Sequence, residues 1–275
     1  MNKKIQALEL ALAQLSLPKS NSHKGQNGKL LIIGGSELFH AASKWSLDIA
    51  SKIVDMVFYS SVPSNNKLIN EAKEKFWNGI VISRKQIKNY IDEADAVLIG
   101  PGMDRSFYTK RLINNLLKKY PNKKWVIDAG ALQMLDVKLL NKNHIITPHH
   151  QEMVLLQKKN NLFNEVNYQA NCFCLLKGQT DKIFKPQNPE EIEVEGGNAG
   201  MTKGGTGDVL AGLLAAFYCK SEALESCLVA SYINKKSAEE LYKKQGTFFN
   251  SSDLVEIIPE VLWQELEITR KQITR

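Results

Sequence analysis

Within this 275-residue chain, Gly204-Gly205-Thr206-Gly207-Asp208, followed at once by Val209-Leu210-Ala211-Gly212, is the segment best suited to chemistry. Glycines let a backbone turn tightly and approach a phosphate closely. An apolar helix starting behind them offers free N–H groups and the positive end of its dipole. Together they form an anion hole, with Asp208 in the helix's first turn. A carboxylate there can cap the helix, or it can take a proton from a hydroxyl attacking a bound phosphoryl group. The spacing and the helix behind it favour the base. Gly207, directly before Asp208, is expected to admit the phosphate because a Cβ would crowd it, more so if its φ is positive.

Such a loop needs a scaffold, and the sequence predicts one. Short apolar runs recur at Leu30 to Ile33, Met56 to Tyr59, Ala96 to Ile99, Trp125 to Ile127, His144 to Ile146 and Cys172 to Leu176. Each is of strand length. Helical patterns lie between most of them, near Ala42 to Val54, Thr109 to Lys119 and Glu152 to Lys158. The alternation predicts a mostly parallel sheet with helices on both faces. Lys182 to Lys185 and Glu191 to Glu195 read as an antiparallel pair turning at Pro186, Asn188 and Pro189. Helices are then expected near Gly207 to Tyr218, Ser221 to Lys243 and Ser251 to Glu267, and an amphipathic helix at the N-terminus. With no repeat or long linker, residues 1–275 read as one domain.

Ligands of such sheets bind beyond the carboxyl ends of the strands. The punctuated motifs fall there: Gly34-Gly35-Ser36, Gly100-Pro101-Gly102, Asp128-Ala129-Gly130, Thr147-Pro148-His149 and Lys177-Gly178. Turn chemistry alone can place glycines at strand ends, so it is their recurrence that points to a ligand edge.

Composition narrows the class. The net charge is +7, but the lysines are scattered and no RNA-binding aromatic motif accompanies them, so no nucleic-acid partner is expected. No apolar run approaches the ~20 residues of a membrane span. Cys172, Cys174, Cys219 and Cys227 match no metal or redox spacing and read as buried free thiols, consistent with a cytoplasmic location.

The glycine motif resembles the anion hole of the ribokinase superfamily. The longer string from Asn198 to Gly212 is similar to the ADP-dependent NAD(P)H-hydrate dehydratase branch. That family's other marks occur in order: His23-Lys24-Gly25 with Gly28, Gly34 to Ala42, Gly100-Pro101-Gly102, Asp128 to Leu132, Thr147-Pro148-His149 with Glu152, Leu176-Lys177-Gly178 and Ser252-Asp253-Leu254. The sequence departs from the usual pattern at Ala41, Asp104 and His150-Gln151, and only Gln179 separates Gly178 from Thr180.

The resemblance implies a ribokinase-like α/β fold and a hydro-lyase that uses ADP to convert the (S)-hydrate of NADH or NADPH back to the reduced cofactor, releasing AMP and phosphate. It implies Asp208 as base, and Ala42, Gly102, His149 and Asp208 around the hydrate. Lys177, Gly178, Gln179, Thr180, Asp181, Gly205, Thr206 and Gly207 would hold the nucleotide. Glu152 would either order Mg2+ through water or compensate a helix N-terminus. A homotetramer is implied too, as is a separate NAD(P)H-hydrate epimerase, since no room for that domain precedes residue 20. Two other readings share the motif: a kinase for a vitamin-precursor alcohol, and a nucleotide-sensing module. The His23 and Asn198-to-Gly212 strings weigh against the kinase, and an intact Asp208 weighs against the sensor.

Overall fold

In the computed structural model, which describes residues 3–75 and 78–273, the strands form one nine-stranded sheet. They are β1 (Lys29–Ile33), β2 (Met56–Ser60), β3 (Ile80–Ile82), β4 (Ala96–Ile99), β5 (Lys124–Ile127), β6 (His144–Ile146), β7 (Phe173–Leu176), β8 (Asp181–Phe184) and β9 (Glu191–Val194), in the spatial order 3-2-1-4-5-6-7-8-9. β1 to β7 are mutually parallel. β8 and β9 continue antiparallel, as the turn residues around Pro186 predict. β3 was not foreseen. Its Ile80-Val81-Ile82 run is apolar but only three residues long, and it lies at the sheet edge with Ile80 exposed.

The helices are α1 (Lys3–Gln14), α2 (His40–Ala50), α3 (Pro63–Ala72), α4 (Ile87–Tyr90), α5 (Phe107–Lys119), α6 (Ala129–Met134), α7 (His150–Lys159), α8 (Thr206–Tyr218), α9 (Ala223–Gln245) and α10 (Ser251–Ile273). Strand side chains alternate between two cores. Along β1, Leu30 and Ile32 join the core under α2, α8, α9 and α10, while Leu31 and Ile33 join the one under α5, α6 and α7. This two-sided burial explains the continuous apolar strands. All four cysteines are free and buried. No helix among the described residues is long and apolar enough to cross a membrane.

The chain adds β2 and β3 on one side of β1, then returns to place β4 on the other. A crevice opens at such a reversal. There the loops after β1 and β4 interlock, with the Gly35 amide donating to the Pro101 carbonyl at 2.7 Å. Helices α2 and α8 cross closely behind this edge. A Cβ on Gly212 would stand 2.7 Å from the Ser46 Cα, so only glycine allows the crossing.

Candidate active site

The glycine loop is fixed from three sides. Helix α8 begins at Thr206, and Gly205 before it has φ +98°, a left-handed conformation that glycine takes without strain. A Cβ on Gly205 would overlap the Trp45 ring of α2 and lie 2.6 Å from the Ser251 Oγ. Ser251 donates to the Gly204 carbonyl at 2.9 Å, and the Trp45 indole donates to Ser252 at 3.1 Å. The late Ser252 motif thus serves to clamp the anion loop. Thr206 is buried, and its hydroxyl donates to the Met201 carbonyl at 2.7 Å. The position that requires glycine is therefore Gly205. Gly207 is helical without a positive φ, and a Cβ there would meet only Lys177, with Nζ at 3.5 Å.

Asp208 stands in the first turn of α8, where its backbone carbonyl accepts from Ser46 Oγ at 2.8 Å. Burial pushes its carboxyl up to about 7, and the Asp128 and Glu152 charges push the same way while Lys177 opposes them. Lys177 bridges Asp128 at 2.7 Å. Burial works against its ammonium, but Asp128, Glu152 and Asp208 outweigh that and hold it above the ordinary lysine range. Asp128 also accepts from Thr147 Oγ1 at 2.8 Å. The ends of β5, β6 and β7 thus meet at one charge cluster of three carboxylates and one ammonium. Asp128 enters it from a motif already visible in the sequence, although its side chain was assigned no role there.

The expected nucleotide residues converge. Lys177, Gly178, Gln179, Thr180, Asp181, Thr206 and Gly207 line one cleft of about 940 Å3 together with His149, whereas Gly205 does not line it. Within it, Asp181 faces inward. Its carboxylate accepts from the Gly178 amide at 2.9 Å and from Ser231 Oγ at 2.7 Å, and it lies 3.4 Å from Lys235 Nζ. It shapes the β7–β8 turn, and the buried Lys235 helps by donating to the Gly178 and Gln179 carbonyls. Lys235 and Asn234 of α9, both lining the cleft, were not singled out in the sequence. They lie inside a helical pattern with nothing to mark them. The Asn234 side-chain oxygen is buried without a partner among the described residues.

His149 caps α7. Its Nδ1 accepts from the Glu152 amide at 3.2 Å, and Glu152 Oε2 accepts from the His149 amide at 3.0 Å, a reciprocal capping box. The second Glu152 oxygen accepts from Gln133 at 3.0 Å. The helix-terminus role expected for Glu152 is therefore present in the geometry. Among the described residues no group of three or more His, Cys, Asp or Glu side chains is placed to hold a metal ion. Ala42 and Gly102 meet at the interlocked loops, where a Cβ on Gly102 would stand 3.0 Å from that of Ala42.

Known proteins resemble this chain over most of its length. The model of the NAD(P)H-hydrate dehydratase family matches residues 30–260. A bifunctional NAD(P)H-hydrate repair enzyme of Methanocaldococcus jannaschii is 38% identical over 250 residues, covering 88% of this chain and 50% of that protein. The chain spans about half the length of the first such relatives. An ADP-dependent (S)-NAD(P)H-hydrate dehydratase of Nitrosopumilus maritimus is 32% identical, covering 93% of this chain and 96% of that protein. Two solved structures share the fold. A ribokinase-like superfamily protein of Enterococcus faecalis has a TM-score of 0.81 at 21% identity, covering 96% and 95% of the two chains. An ADP/ATP-dependent NAD(P)H-hydrate dehydratase of Bacillus subtilis, co-crystallised with ATP and Mg2+, has a TM-score of 0.74 at 21% identity, covering 94% and 97%. With 231 of its 275 residues matched by one family model, the chain belongs to the NAD(P)H-hydrate dehydratase family.

Proposed function

We propose that the chain dehydrates the (S)-hydrate of NADH and NADPH at the expense of ADP. Hydroxide is a poor leaving group and phosphate a good one. In this reading Asp208 takes the proton of the ring hydroxyl while its oxygen attacks the terminal phosphorus of ADP. The bond to the bridging oxygen breaks and AMP leaves. The phosphorylated ring then loses phosphate with its C–O bonding pair, the ring nitrogen assisting. Loss of the neighbouring ring proton restores the double bond, and the oxygen of the departing water ends in phosphate.

The observation that carries this reading is Asp208 itself, poised near neutral pH at the mouth of a helix N-terminus and beside the Lys177 ammonium. A base is most effective when its pKa lies near the working pH. The amides of Gly205 to Gly207 would steady the transferring phosphoryl group, which depends mainly on positioning and electrostatics. Lys177 and the Gly178–Thr180 turn would hold the diphosphate, and Ala42, Gly102 and His149 the hydrate. The carboxylates present fit magnesium carried in on the nucleotide, since Mg2+ typically keeps its waters and takes few protein ligands. Bound there, it would neutralise phosphate charge, with Glu152 reaching it through water.

The same reading takes the working form as a cytoplasmic homotetramer paired with a separate epimerase. The test is to offer purified protein NADH hydrate with ADP or with ATP and to follow recovery of reduced-nicotinamide absorbance. ADP-supported recovery is expected, and its absence with either nucleotide would overturn the assignment.

A further inference from the structure

At the other end of the crevice, the carboxyl ends of β1, β2 and β3 enclose a polar cluster that the chemistry above does not use. Asn65 donates to Tyr59 Oη at 2.8 Å and to Ser61 Oγ at 2.9 Å, and Tyr59 and Ser43 hydroxyls are 2.7 Å apart. Gly35 lies directly above, since a Cβ there would overlap the Asn65 amide. Arg84, just past β3, reaches into the same region and donates from Nη2 to the Gly34 carbonyl at 3.0 Å. Its Nε and Nη1 are buried and have no hydrogen-bond partner among the described residues.

No carboxylate among the described residues forms an ion pair with Arg84. Asp104, the acidic group that acts on it, receives hydrogen bonds from Ser106 and Thr109 instead. Leaving a guanidinium buried and uncompensated is costly, and proteins normally supply the counter-charge. Arg84 also lines a cleft of about 880 Å3 with Ser61, Asn66, Ser83 and Tyr108. Guanidinium is the side chain best matched to phosphate oxygens.

We propose that Arg84 binds a phosphate group of the dinucleotide substrate, anchoring the far end of the molecule while its nicotinamide end faces Asp208. The proposal rests on the dehydratase reading for the identity of the substrate. Connectivity along the edge supports it. Gly34, bonded to Arg84, packs on Ser43 of α2. Ser46, roughly 5 Å further along that helix at its normal rise, bonds the Asp208 backbone. Ala42 and Gly102 lie between the two ends. A dinucleotide laid along this edge would place its ring and its phosphates at the two charged stations.

Arg84→Met and Arg84→Lys test this. Affinities for NADPH and for ADP are measured by calorimetry, then KM and kcat for NADPH hydrate and NADH hydrate. Loss of one charge-assisted contact predicts roughly 10- to 100-fold weaker NADPH binding and a matching rise in hydrate KM for Arg84→Met. Arg84→Lys should fall between it and the wild type, with ADP affinity and kcat nearly unchanged in both. A defect confined to the NADPH forms assigns the 2′-phosphate, and a shared one assigns the pyrophosphate. The melting temperature of Arg84→Met should not fall, because an unpaired buried charge is being removed. If Arg84→Met does not fold, Arg84→Lys carries the comparison. Unchanged NADPH affinity in the folded variant, or a fall in ADP affinity instead, overturns the proposal. If wild-type protein binds NADPH through Arg84 but turns over no hydrate, the dehydratase reading fails while the anion site stands.

Discussion

The acidity of Asp208 makes a prediction that can be worked through in numbers. With its carboxyl at about 7, half the free enzyme carries the ionised base at that pH. About a tenth carries it one unit lower and about nine-tenths one unit higher, so activity should rise about tenfold between pH 6 and 8 and then level. An aspartate at the ordinary 3.8 would give a flat profile over that range. The quantity to measure is kcat/KM with both substrates well below saturation, which reports the free enzyme. Asp208→Asn should lose roughly 100- to 10,000-fold in turnover. Lys177→Met removes the ammonium that favours the ionised form, so the rising limb should move to higher pH as well as lower in height.

Stability should run the opposite way. A carboxyl whose folded pKa exceeds its unfolded value stabilises the fold fully below the unfolded value, and that contribution is lost as pH rises through the folded one. The window here is from about 4 to about 7. Asp208→Asn should therefore melt higher than the wild type at pH 8 and gain little near pH 4. A pH–rate profile flat from about pH 5.5 to 8 in the wild type would refute the raised proton affinity of Asp208, and near-normal turnover in Asp208→Asn would refute its role as base.

Gly205→Ala should lower the melting temperature, because left-handed backbone costs a residue with a Cβ roughly 1–2 kcal/mol and the added carbon overlaps Trp45; a normal melt would mean the loop is not clamped. Gly207→Val should melt nearly as the wild type, since its neighbour is the flexible Lys177 side chain, yet lose nucleotide affinity and turnover; normal affinity by calorimetry would remove the phosphate-cradle role of the loop. Burial pushes the Cys172 and Cys219 thiols up to about 12, so thiol reagents should label the native protein slowly and all four cysteines only after unfolding; rapid native labelling would contradict this core packing.

What the sequence made legible is whatever local chemistry determines. Apolar runs of strand length located six of the seven parallel strands in order, and the proline-rich turn located the antiparallel pair. The position of Asp208 followed from the glycines and the apolar helix behind them. The two-residue offset between Gly207 and the left-handed Gly205 was not legible, because it depends on the helix starting at Thr206, and helix ends are the least determined feature of a pattern.

Contacts between distant residues were hidden for a different reason. Trp45 and Ser252 are separated by 207 residues, and Lys177 and Asp128 by 49. Side-chain direction was hidden as well. Asp181 and Glu152 sit in motifs that point to ligands, yet the Asp181 carboxylate is bound to its own turn and both Glu152 oxygens are engaged by backbone and Gln133. This division has a physical basis. A phosphate site built from backbone amides needs nearby acidic groups restrained, or their charge would repel the ligand. Here hydrogen bonds hold Asp181 and Glu152, and Lys177 compensates Asp128. Among the described residues, the carboxylate of this cluster left without such a hydrogen-bond or ion-pair partner is Asp208, whose burial among like charges is what raises its proton affinity to the range a base requires.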